Sequence, residues 1–507
     1  MSRTPELDVP VQIVLNRDAG APTLADQIAA QLRASICGGA LRTGDRLPAI
    51  RLLAARLAVA RATVDAAYGQ LIAEGYLDAK PGAGTRVAGR LPEDALLLRS
   101  RGEGSQRPPE PRAARGLTER AQQVAAVASV LLPQQPVPLA VVCPSDELAP
   151  GKAWTRIAAR LARTPWRHGG YAPPHGFMPL REAVADYARR FRGVVCEPEQ
   201  VVITAGTQQG IALCAQLLFE RGDPVWIEDP CYSLLAASVA FNGVRAIPVP
   251  VDGEGLDVAA GVAIAPDARG AFVSPSHQYP LGMAMPMARR LALLDWAREA
   301  DRWIIEDDYD SELRYEGRPF PSLQGLDAGG EAVIYLGTFS KMLFPGLRLG
   351  YAIVPRALVE AFAGARLLAD RHSSESQQAV LAEYMREGHY ETHIRRIRTV
   401  FQKRREVLLE ECEAQLSAFG AVIPGDQGMH LVFRFAADLP DVEITRRVRS
   451  AGVEVRPLSP FYRQAAPLKG FMLGFGGFAP ESIRAAVGAI RRELDAAVKP
   501  SAKSRSG

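Results

Sequence analysis

Apolar residues near the start of the chain recur at helical spacing. Leu24, Ile28, Leu32 and Ile36 lie four residues apart, which is typical of one face of an amphipathic helix. Thr23 is a suitable N-cap, and Gly38-Gly39 is a suitable helix end. The pattern therefore predicts a helix over residues 23–37.

Two further helices and a hairpin follow. We expect a second helix with Pro48 in its first turn and Leu52, Leu53 and Leu57 on it, then a third helix over residues 61–74. The third helix has an apolar face, comprising Val64, Ala67, Tyr68, Leu71 and Ile72, and an exposed side with Arg61, Ala62, Thr63 and Asp65. Residues 76–79 and 85–87, joined by a turn at Lys80-Pro81-Gly82, read as a two-stranded wing. Such a unit has the arrangement of a winged helix-turn-helix.

The rest of the chain alternates short apolar strands with longer helical segments, which is typical of a parallel α/β sheet. Expected strands contain residues 201–203, 225–227, 271–273, 303–305 and 333–335. Between the two patterns, residues 99–115 are rich in Arg, Pro, Gly and Glu and read as a flexible linker; the run at 117–138 is again helix-like. We therefore predict four parts: a winged helix-turn-helix domain (1–88), a linker (89–138), a large α/β domain with a smaller C-terminal α/β subdomain (139–498) and a disordered tail (499–507).

Composition narrows the class of protein. The 507 residues are 48% hydrophobic and 23% charged, as in globular proteins of several domains. The N-terminus lacks the apolar core of a signal peptide, and no apolar stretch is long enough for a membrane span, so we expect a cytoplasmic protein that does not contact membranes. The six cysteines show no Cys-x-x-Cys spacing, which argues against a zinc site or a disulfide framework. Residues 41–90 hold eight basic and four acidic residues, an excess that suits a phosphate backbone.

The segment from Gly44 to Val87 closely resembles the DNA-binding domain of the GntR family. Its residues follow the family pattern G-x-x-L-P-x-x-R-x-L-A, R-x-T-V, L-x-x-E-G-Y-L and G-x-G-T-x-V nearly throughout. The resemblance implies contacts to double-stranded operator DNA from five residues: Arg51, Arg61 and Thr63 to phosphates or base edges, and Lys80 and Gly82 from the wing at the minor groove. Alanine stands at positions 49 and 60, where the family usually has serine, which removes two hydroxyls that suit phosphate contact or capping.

Four residues of the large domain suggest a lysine-based cofactor site. Lys341 follows an apolar strand, and a lysine that forms a Schiff base must lie near an aldehyde and lose its proton readily. Asp307 ends another apolar strand and is suited to keeping the nitrogen of a pyridoxal ring protonated. Tyr309 would project to the same side and reach the ring's phenolic oxygen, and Arg348 supplies a fixed fork for phosphate.

Three more loops follow strands in the same way. Residues 204–209 open a helix whose backbone N–H groups can bind a phosphate. Residues 228–232 follow the next strand and contain Tyr232, which could stack on a ring. Residues 275–282 follow a third strand. Because ligands bind at the carboxyl ends of strands in open α/β sheets, these loops are expected to share one site.

This ordered set resembles the fold-type I aminotransferases and, with the N-terminal unit, the MocR subfamily of GntR regulators. The resemblance implies pyridoxal 5'-phosphate (PLP) as cofactor, no metal, and Lys341 as the holder of its internal aldimine. It assigns Asp307 to the pyridine nitrogen and Tyr309 to the phenolic oxygen. The phosphate would be held by Gly206, Thr207, Gln208, Ser340 and Arg348. Tyr171 would reach the phosphate of the partner subunit, which implies a homodimer.

Two departures from aminotransferases bear on activity. Tyr279 replaces the asparagine of the N-P-x-G loop, so its contact to the ring oxygen is altered. No arginine stands near residues 473–477, where we expect the clamp for a substrate carboxylate, with Gly477 at its position; Arg456 is the alternative. His277 is either an acid/base group or a structural histidine, and Asp308 and Asp310 are expected to be structural.

Two functions remain open at this point. The first is a transcription regulator that senses PLP, or a small amine or amino acid bound with it, a subtype of which senses PLP to control vitamin B6 synthesis. The second is an active aminotransferase with a fused DNA-binding domain.

Overall fold

A computed structural model of the chain describes residues 13–18, 20–80, 84–91, 116–130, 137–141, 149–164, 169–317, 320–327, 329 and 331–498. Contacts divide the chain into two compact units, Met1–Gly116 and Leu117–Gly507. No helix in these described ranges is long and apolar enough to cross a bilayer.

The first unit is a three-helix bundle with a hairpin. It contains α1 (Leu24–Cys37), α2 (Ile50–Leu57), α3 (Arg61–Ala73), β1 (Leu77–Lys80) and β2 (Gly84–Val87), with β1 and β2 antiparallel. Thr23 caps α1 by accepting a hydrogen bond from the backbone N–H of Asp26, as expected from the sequence. The core joins residues of all three helices to both strands, among them Ile28, Leu53 and Val87. The winged helix-turn-helix architecture is confirmed.

Three details of this unit differ from the sequence-based expectation. Pro48 precedes the N-cap residue Ala49 and so lies outside α2 rather than in its first turn. Leu52 is largely exposed, because α2 is only two turns long and buries Leu53 and Ala54. Ile72 is also partly exposed at the end of α3.

The second unit alternates strands and helices. Its helices are α4 (Glu119–Val130), α5 (Gly151–Leu161), α6 (Met178–Arg192), α7 (Thr207–Leu217), α8 (Ser233–Phe241), α9 (Val258–Ile264), α10 (Met287–Arg298), α11 (Leu323–Leu326), α12 (Val359–Ala369), α13 (Glu375–Arg386), α14 (His389–Leu416), α15 (Asp441–Ser450) and α16 (Pro480–Val498). Helix α4 lies in the helix-like run at residues 117–138, which follows the segment rich in Arg, Pro, Gly and Glu.

An eight-stranded sheet forms the centre of this unit. Its strands are β3 (Val201–Thr204), β4 (Pro224–Asp229), β5 (Arg245–Asp252), β6 (Gly255–Leu256), β7 (Gly270–Val273), β8 (Trp303–Asp308), β9 (Val333–Thr338) and β10 (Gly350–Ile353), in the order β3-β10-β9-β8-β7-β4-β5-β6. Strands β5, β4, β7, β8 and β9 are parallel, whereas β10 is antiparallel to both of its neighbours. The five expected strands are confirmed, and the expected parallel sheet is present with two antiparallel strands, β10 and the short β6.

A smaller antiparallel sheet follows near the C-terminus. It contains β11 (Gly420–Val422), β12 (His430–Phe435), β13 (Arg456–Pro457) and β14 (Gly470–Gly474), in the order β11-β12-β14-β13. Helices α15 and α16 pack with this sheet and with the long helix α14 through Ile444, Val487 and Leu408. The predicted smaller α/β subdomain is therefore present.

Candidate functional sites

The order of the strands brings the candidate loops to one edge of the large sheet. Strand β10 runs opposite to β3 and β9, so Gly350 at its start pairs with Thr204 and Thr338 at their ends. The loops that leave β3, β4, β7, β8 and β9 and the loop that enters β10 therefore share this edge. The edge carries Gly206, Tyr232, Tyr279, Asp307, Lys341 and Arg348, all candidate residues from the sequence.

Asp307 and Lys341 form the chemical centre of this edge. Asp307 is 8% exposed, and its Oδ1 has no hydrogen-bond partner among the described residues. Burial, reinforced by the charge of Asp308, raises the pKa of Asp307 to about 7. Burial lowers the pKa of Lys341 to about 8, with the carboxylates of Asp310 and Asp307 opposing the shift. A buried carboxylate that lacks a donor beside a readily deprotonated lysine fits a ligand that brings an N–H group and an aldehyde.

An anion-binding corner lies at the start of α7. Gly206 is the N-cap of α7 with φ of +98°, a conformation that favours glycine. The Arg348 guanidinium donates to the carbonyl oxygen of Ala205 at 2.5 Å, and a Cβ at Gly206 would stand 3.5 Å from its Nη2. Thr207 and Gln208 form the first turn of α7, and the buried Oε1 of Gln208 has no partner among the described residues. Backbone N–H groups at the start of a helix and a guanidinium are together suited to a phosphate.

Ser340 lies in the loop between β9 and Lys341. It is partly buried, and its backbone N–H donates to the Thr338 hydroxyl at 3.1 Å. Because Gly350 pairs with Thr338, this loop lies beside the segment that carries Arg348.

Aromatic rings cluster around Tyr279. The ring of Tyr279 makes edge-to-face contacts with Tyr232, Tyr309 and Phe461 at centroid distances of 5.8, 6.0 and 5.6 Å. Burial raises the pKa of the Tyr279 phenol, and Arg456 opposes that shift. Tyr279 thus joins the site, in the position where the sequence lacks asparagine.

Arg456 reaches the site from the smaller sheet. It lies on β13, next to Met472 of β14, and its Nη1 donates to the Tyr279 hydroxyl at 3.3 Å. Its charge also lowers the pKa of Lys341. The structure therefore brings Arg456, the alternative cation considered from the sequence, to the Lys341 pocket, and residues 473–477 supply no arginine. Sequence spacing could not locate it, because its position depends on how β13 pairs with β14.

His277, Asp308 and Asp310 lie behind the site in buried contacts. His277 Nδ1 is 2.9 Å from Asp310 Oδ1. Asp308 accepts from Arg192 Nε at 2.7 Å, and Arg192 also donates to the Ser276 hydroxyl at 2.8 Å. These contacts support the structural role expected for the two aspartates.

The Tyr171 side chain lies at the surface of its own chain rather than in the Lys341 site. Its side chain is 83% exposed, and its ring contacts the Arg371 guanidinium at 4.2 Å from the centroid. An exposed tyrosine is compatible with a contact to a second subunit, which stays a prediction.

The candidate DNA contacts lie on the first unit. Arg51 on α2 and Arg61 at the start of α3 are exposed, and Thr63 is partly exposed. Lys80 ends β1, and Gly82 lies outside the described residues, as do Pro81 and Ala83. Arg51, Arg61 and Thr63 stand on the two helices of the helix-turn-helix, as the sequence predicts.

Two basic residues beside the wing were not singled out from the sequence. Arg86 on β2 donates to the carbonyl oxygen of Gly44 at 2.9 Å, and the Arg46 guanidinium lies 3.1 Å from where a Cβ of Gly84 would stand. The local excess of basic residues was the available signal. It could not show that these two arginines pack on the hairpin.

Comparison with known proteins identifies both units. The family model for bacterial regulatory proteins of the gntR family matches residues 24–87, and the model for aminotransferase class I and II matches residues 148–498. A probable rhizopine catabolism regulatory protein, MocR of Rhizobium meliloti, is 37% identical over 94% of this chain and 95% of its own length. The pyridoxine biosynthesis transcriptional regulator PdxR of Corynebacterium glutamicum is 30% identical over 94% of this chain and 96% of its own length.

A solved structure resembles three quarters of this chain. The α-aminoadipate aminotransferase LysN of Thermus thermophilus, complexed with N-(5'-phosphopyridoxyl)-L-leucine, matches with a TM-score of 0.68 and 27% identity. The match covers 75% of this chain and 97% of that one. The two units together define a transcriptional regulator with an aminotransferase-like domain, a fold that typically binds PLP.

The similarity to the regulators extends over both units and the segment between them. The chain therefore belongs to the MocR-type GntR transcriptional regulators.

Proposed function

We propose that this regulator holds PLP through a covalent link to Lys341 and changes its binding to operator DNA when PLP, or an amino compound bound with it, occupies the pocket. The observation that carries the proposal is the buried Oδ1 of Asp307, which has no hydrogen-bond donor in the described part of the chain and lies near a lysine whose pKa is lowered to about 8. A pyridine N–H supplies the missing donor, and an aldehyde supplies a partner for the lysine.

The remaining candidate residues have distinct roles in this proposal. Gly206, Thr207, Gln208, Ser340 and Arg348 hold the phosphate, because the N-terminus of α7 and the guanidinium lie together. Tyr309 donates to the phenolic oxygen of the ring, and Tyr232 and Tyr279 flank the ring. When bound, PLP supplies an aldehyde that condenses with primary amines.

The lowered pKa of Lys341 matters for capture of that aldehyde. Only the neutral amine is nucleophilic, and burial increases its fraction near neutral pH. Lys341 thus binds an aldehyde under conditions in which an exposed lysine stays charged.

A ligand in the pocket can change DNA binding only if it binds two arrangements of the protein with different affinities. We propose a homodimer in which Tyr171 of each subunit reaches the phosphate of the other, so that each pocket is completed by two chains. Such a dimer presents two DNA-binding units, and a ligand that favours one arrangement changes operator affinity.

The functions given for two relatives favour two different classes of ligand as the signal. One is a regulator of pyridoxine biosynthesis and the other a probable regulator of rhizopine catabolism. The first favours PLP itself as the signal, and the second favours a further small molecule.

The central test uses the full chain and a Lys341→Ala variant, with Lys403→Ala as control because Lys403 is exposed on α14. Adding PLP to wild type and to the control should produce a visible absorbance band and change the affinity for DNA obtained by in vitro selection. Lys341→Ala should show neither effect while still binding that DNA. A wild-type protein that gives no band, or whose DNA affinity ignores PLP, contradicts the proposal.

A second candidate function, transamination, is favoured by Arg456. Its guanidinium lies in the Lys341 pocket, where it is suited to a ligand carboxylate. Steady-state conversion of amino acid and keto acid by the PLP-loaded protein at enzymatic rates, lost in Arg456→Gln, supports that function. Spectral changes with amines but no turnover support a sensor.

A further inference from the structure

The ring nitrogen Nδ1 of His277 faces two oxygen-bearing groups at once. It lies 2.9 and 3.0 Å from the two carboxylate oxygens of Asp310, and 3.0 Å from the hydroxyl oxygen of Tyr309. His277 and Asp310 are both buried. All three residues lie behind or within the Lys341 pocket.

A single ring nitrogen carries either a hydrogen or a lone pair, and so cannot donate to one group while accepting from the other. A carboxylate only accepts hydrogen bonds, and Asp310 places both of its oxygens against Nδ1. The hydrogen must therefore be on Nδ1, donated to Asp310 and shared with the Tyr309 oxygen in a three-centre bond.

This arrangement leaves the Tyr309 hydroxyl proton without an acceptor in His277. His277 is also the one hydrogen-bond partner of the Tyr309 hydroxyl in the described part of the chain. The contact with His277 therefore uses a lone pair of the Tyr309 oxygen and leaves the O–H of the phenol free to donate to another group. Because the Tyr309 side chain is only partly buried, its O–H is available to donate to an oxygen that a ligand supplies in the Lys341 pocket.

The His277 ring is fixed in place by close backbone packing. A Cβ at Gly428 would stand 2.0 Å from its Cε1, and one at Gly282 would stand 3.3 Å from its Nε2. The ring of His430 lies 5.4 Å away, and His430 Nε2 is 2.9 Å from the carbonyl oxygen of Pro280. Because these neighbours hold the ring, Asp310 decides which nitrogen carries the hydrogen.

We propose that Asp310 and His277 are positioning residues that hold the Tyr309 hydroxyl as a donor directed at an oxygen of the ligand bound beside Lys341. The ligand class is an aromatic ring with an ionisable oxygen, which is the phenolic oxygen of PLP in the function proposed above. The inference rests on that function for the ligand, but not for the position of the hydrogen in the free protein.

The first experiment tests the hydrogen position without cofactor. ¹⁵N–¹H correlation spectra of the histidine rings in the cofactor-free wild-type chain, assigned with His277→Gln, should show the hydrogen of His277 on Nδ1. A hydrogen found on Nε2, with Nδ1 unprotonated, overturns the inference whether or not PLP binds.

The second experiment removes the acceptor with Asp310→Leu. The Tyr309 hydroxyl should then donate to Nδ1, so the His277 hydrogen should move to Nε2. After PLP loading, the pH midpoint of the visible band should rise by about one unit, because a lost donor no longer stabilises charge on the ring oxygen. Tyr309→Phe should raise it in the same direction and by a similar amount.

Asp327→Asn is the matched control, because Asp327 is a buried carboxylate paired with Arg298 away from the site. It should leave the midpoint unchanged. A midpoint in Asp310→Leu equal to that of wild type, while Tyr309→Phe shifts it, overturns the positioning role. If Asp310→Leu does not fold, the wild-type spectra still decide the hydrogen position. Absence of a visible band in every protein, with the hydrogen on Nδ1, contradicts the proposed cofactor and leaves the positioning geometry standing.

Discussion

The two units of this regulator specify their candidate sites in opposite ways. In the DNA-binding unit, Arg51 and Arg61 are exposed on neighbouring helices and come from one short stretch of sequence. In the aminotransferase-like unit, Asp307 is buried and Lys341 partly buried; both have shifted pKa values and come from segments far apart in the chain. A surface that binds a polyanion needs only charges at the right spacing, whereas a pocket needs desolvated groups that the fold leaves unpaired.

The same contrast appears in the ion pairs of the two units. Arg192 and Asp308 are 4% and 1% exposed, while Arg33 and Glu74 in the DNA-binding unit are 31% and 32% exposed. Both pairs are short, so distance alone does not separate them. Burial should decide how much each pair contributes to the free energy of unfolding.

The largest effect is expected from Arg192→Met. Removing the guanidinium leaves the Tyr335 hydroxyl, at 2.5 Å, as the remaining side-chain donor to the buried Asp308 carboxylate among the described residues. The variant should therefore lower the free energy of unfolding by about 3–5 kcal/mol. Denaturant unfolding of the full chain measures it. Adding Asp308→Leu should recover most of the loss, because the uncompensated charge is then gone. A loss below about 1 kcal/mol for the single variant contradicts the importance of burial.

A second large effect is expected from Asp307→Asn in the cofactor-free protein. Burial raises the pKa of Asp307 above its unfolded value, to about 7. The stability that this carboxyl contributes is therefore complete below about pH 4 and is lost as the pH rises through 7. Asp307→Asn should be more stable than wild type at pH 8, on the order of 1–3 kcal/mol, and the difference should shrink toward pH 4.

The same variant should bind PLP at least about tenfold more weakly, because an amide cannot keep a pyridine nitrogen protonated. Thermal unfolding across pH and a PLP absorbance titration measure the two effects. Equal stability of variant and wild type at pH 8 would contradict the prediction that the buried, charged Asp307 carboxylate lowers the stability of the folded protein.

Arg61→Ala tests the surface half of the comparison. The loss of one contact to a phosphate or base edge should weaken DNA binding by about 1–3 kcal/mol, roughly 10- to 100-fold. Melting temperature and PLP absorbance should not change, since the side chain is exposed. Arg245→Ala, an exposed arginine of the large unit, is the control and should leave DNA affinity intact. Equal effects of the two variants indicate a general charge effect rather than a contact by Arg61.

The surface unit was also the one that the sequence described most fully. Helical spacing gave α1 and α3 to within one residue, because each has a continuous apolar face that packs in a single small core. The errors at Pro48 and Leu52 came from α2, which is too short for periodicity to fix its limits. The turn at Gly82 lies outside the described residues.

In the large unit, the sequence predicted which loops form the site but not every side chain that the fold brings to it. Strand ends placed Asp307, Lys341 and the 204–209 loop at one edge, since carboxyl ends of parallel strands share an edge. The reversal of β10 brings Arg348 to that edge, and the pairing of β13 with β14 brings Arg456. Neither strand pairing can be read from local sequence, which is why the comparison with aminotransferases placed the expected carboxylate clamp near Gly477 and left Arg456 as an alternative.

The smallest effect is expected from Arg33→Met. Arg33 Nη2 is 2.5 Å from Glu74 Oε2, and this hydrogen bond lowers the pKa of Glu74. Exposed pairs are screened and lose side-chain entropy, so the variant should reduce the stability of the DNA-binding unit by only about 0–1 kcal/mol at pH 7. Because the pKa is lower in the folded state, the contribution is present above the unfolded pKa of Glu74 and is lost as the pH falls through the folded value. Hydrogen exchange of the α1 and α3 amides in the full chain, at pH 7 and in high salt, measures it. A loss as large as that of Arg192→Met would show that short ion pairs contribute alike in both units, and that burial does not distinguish them.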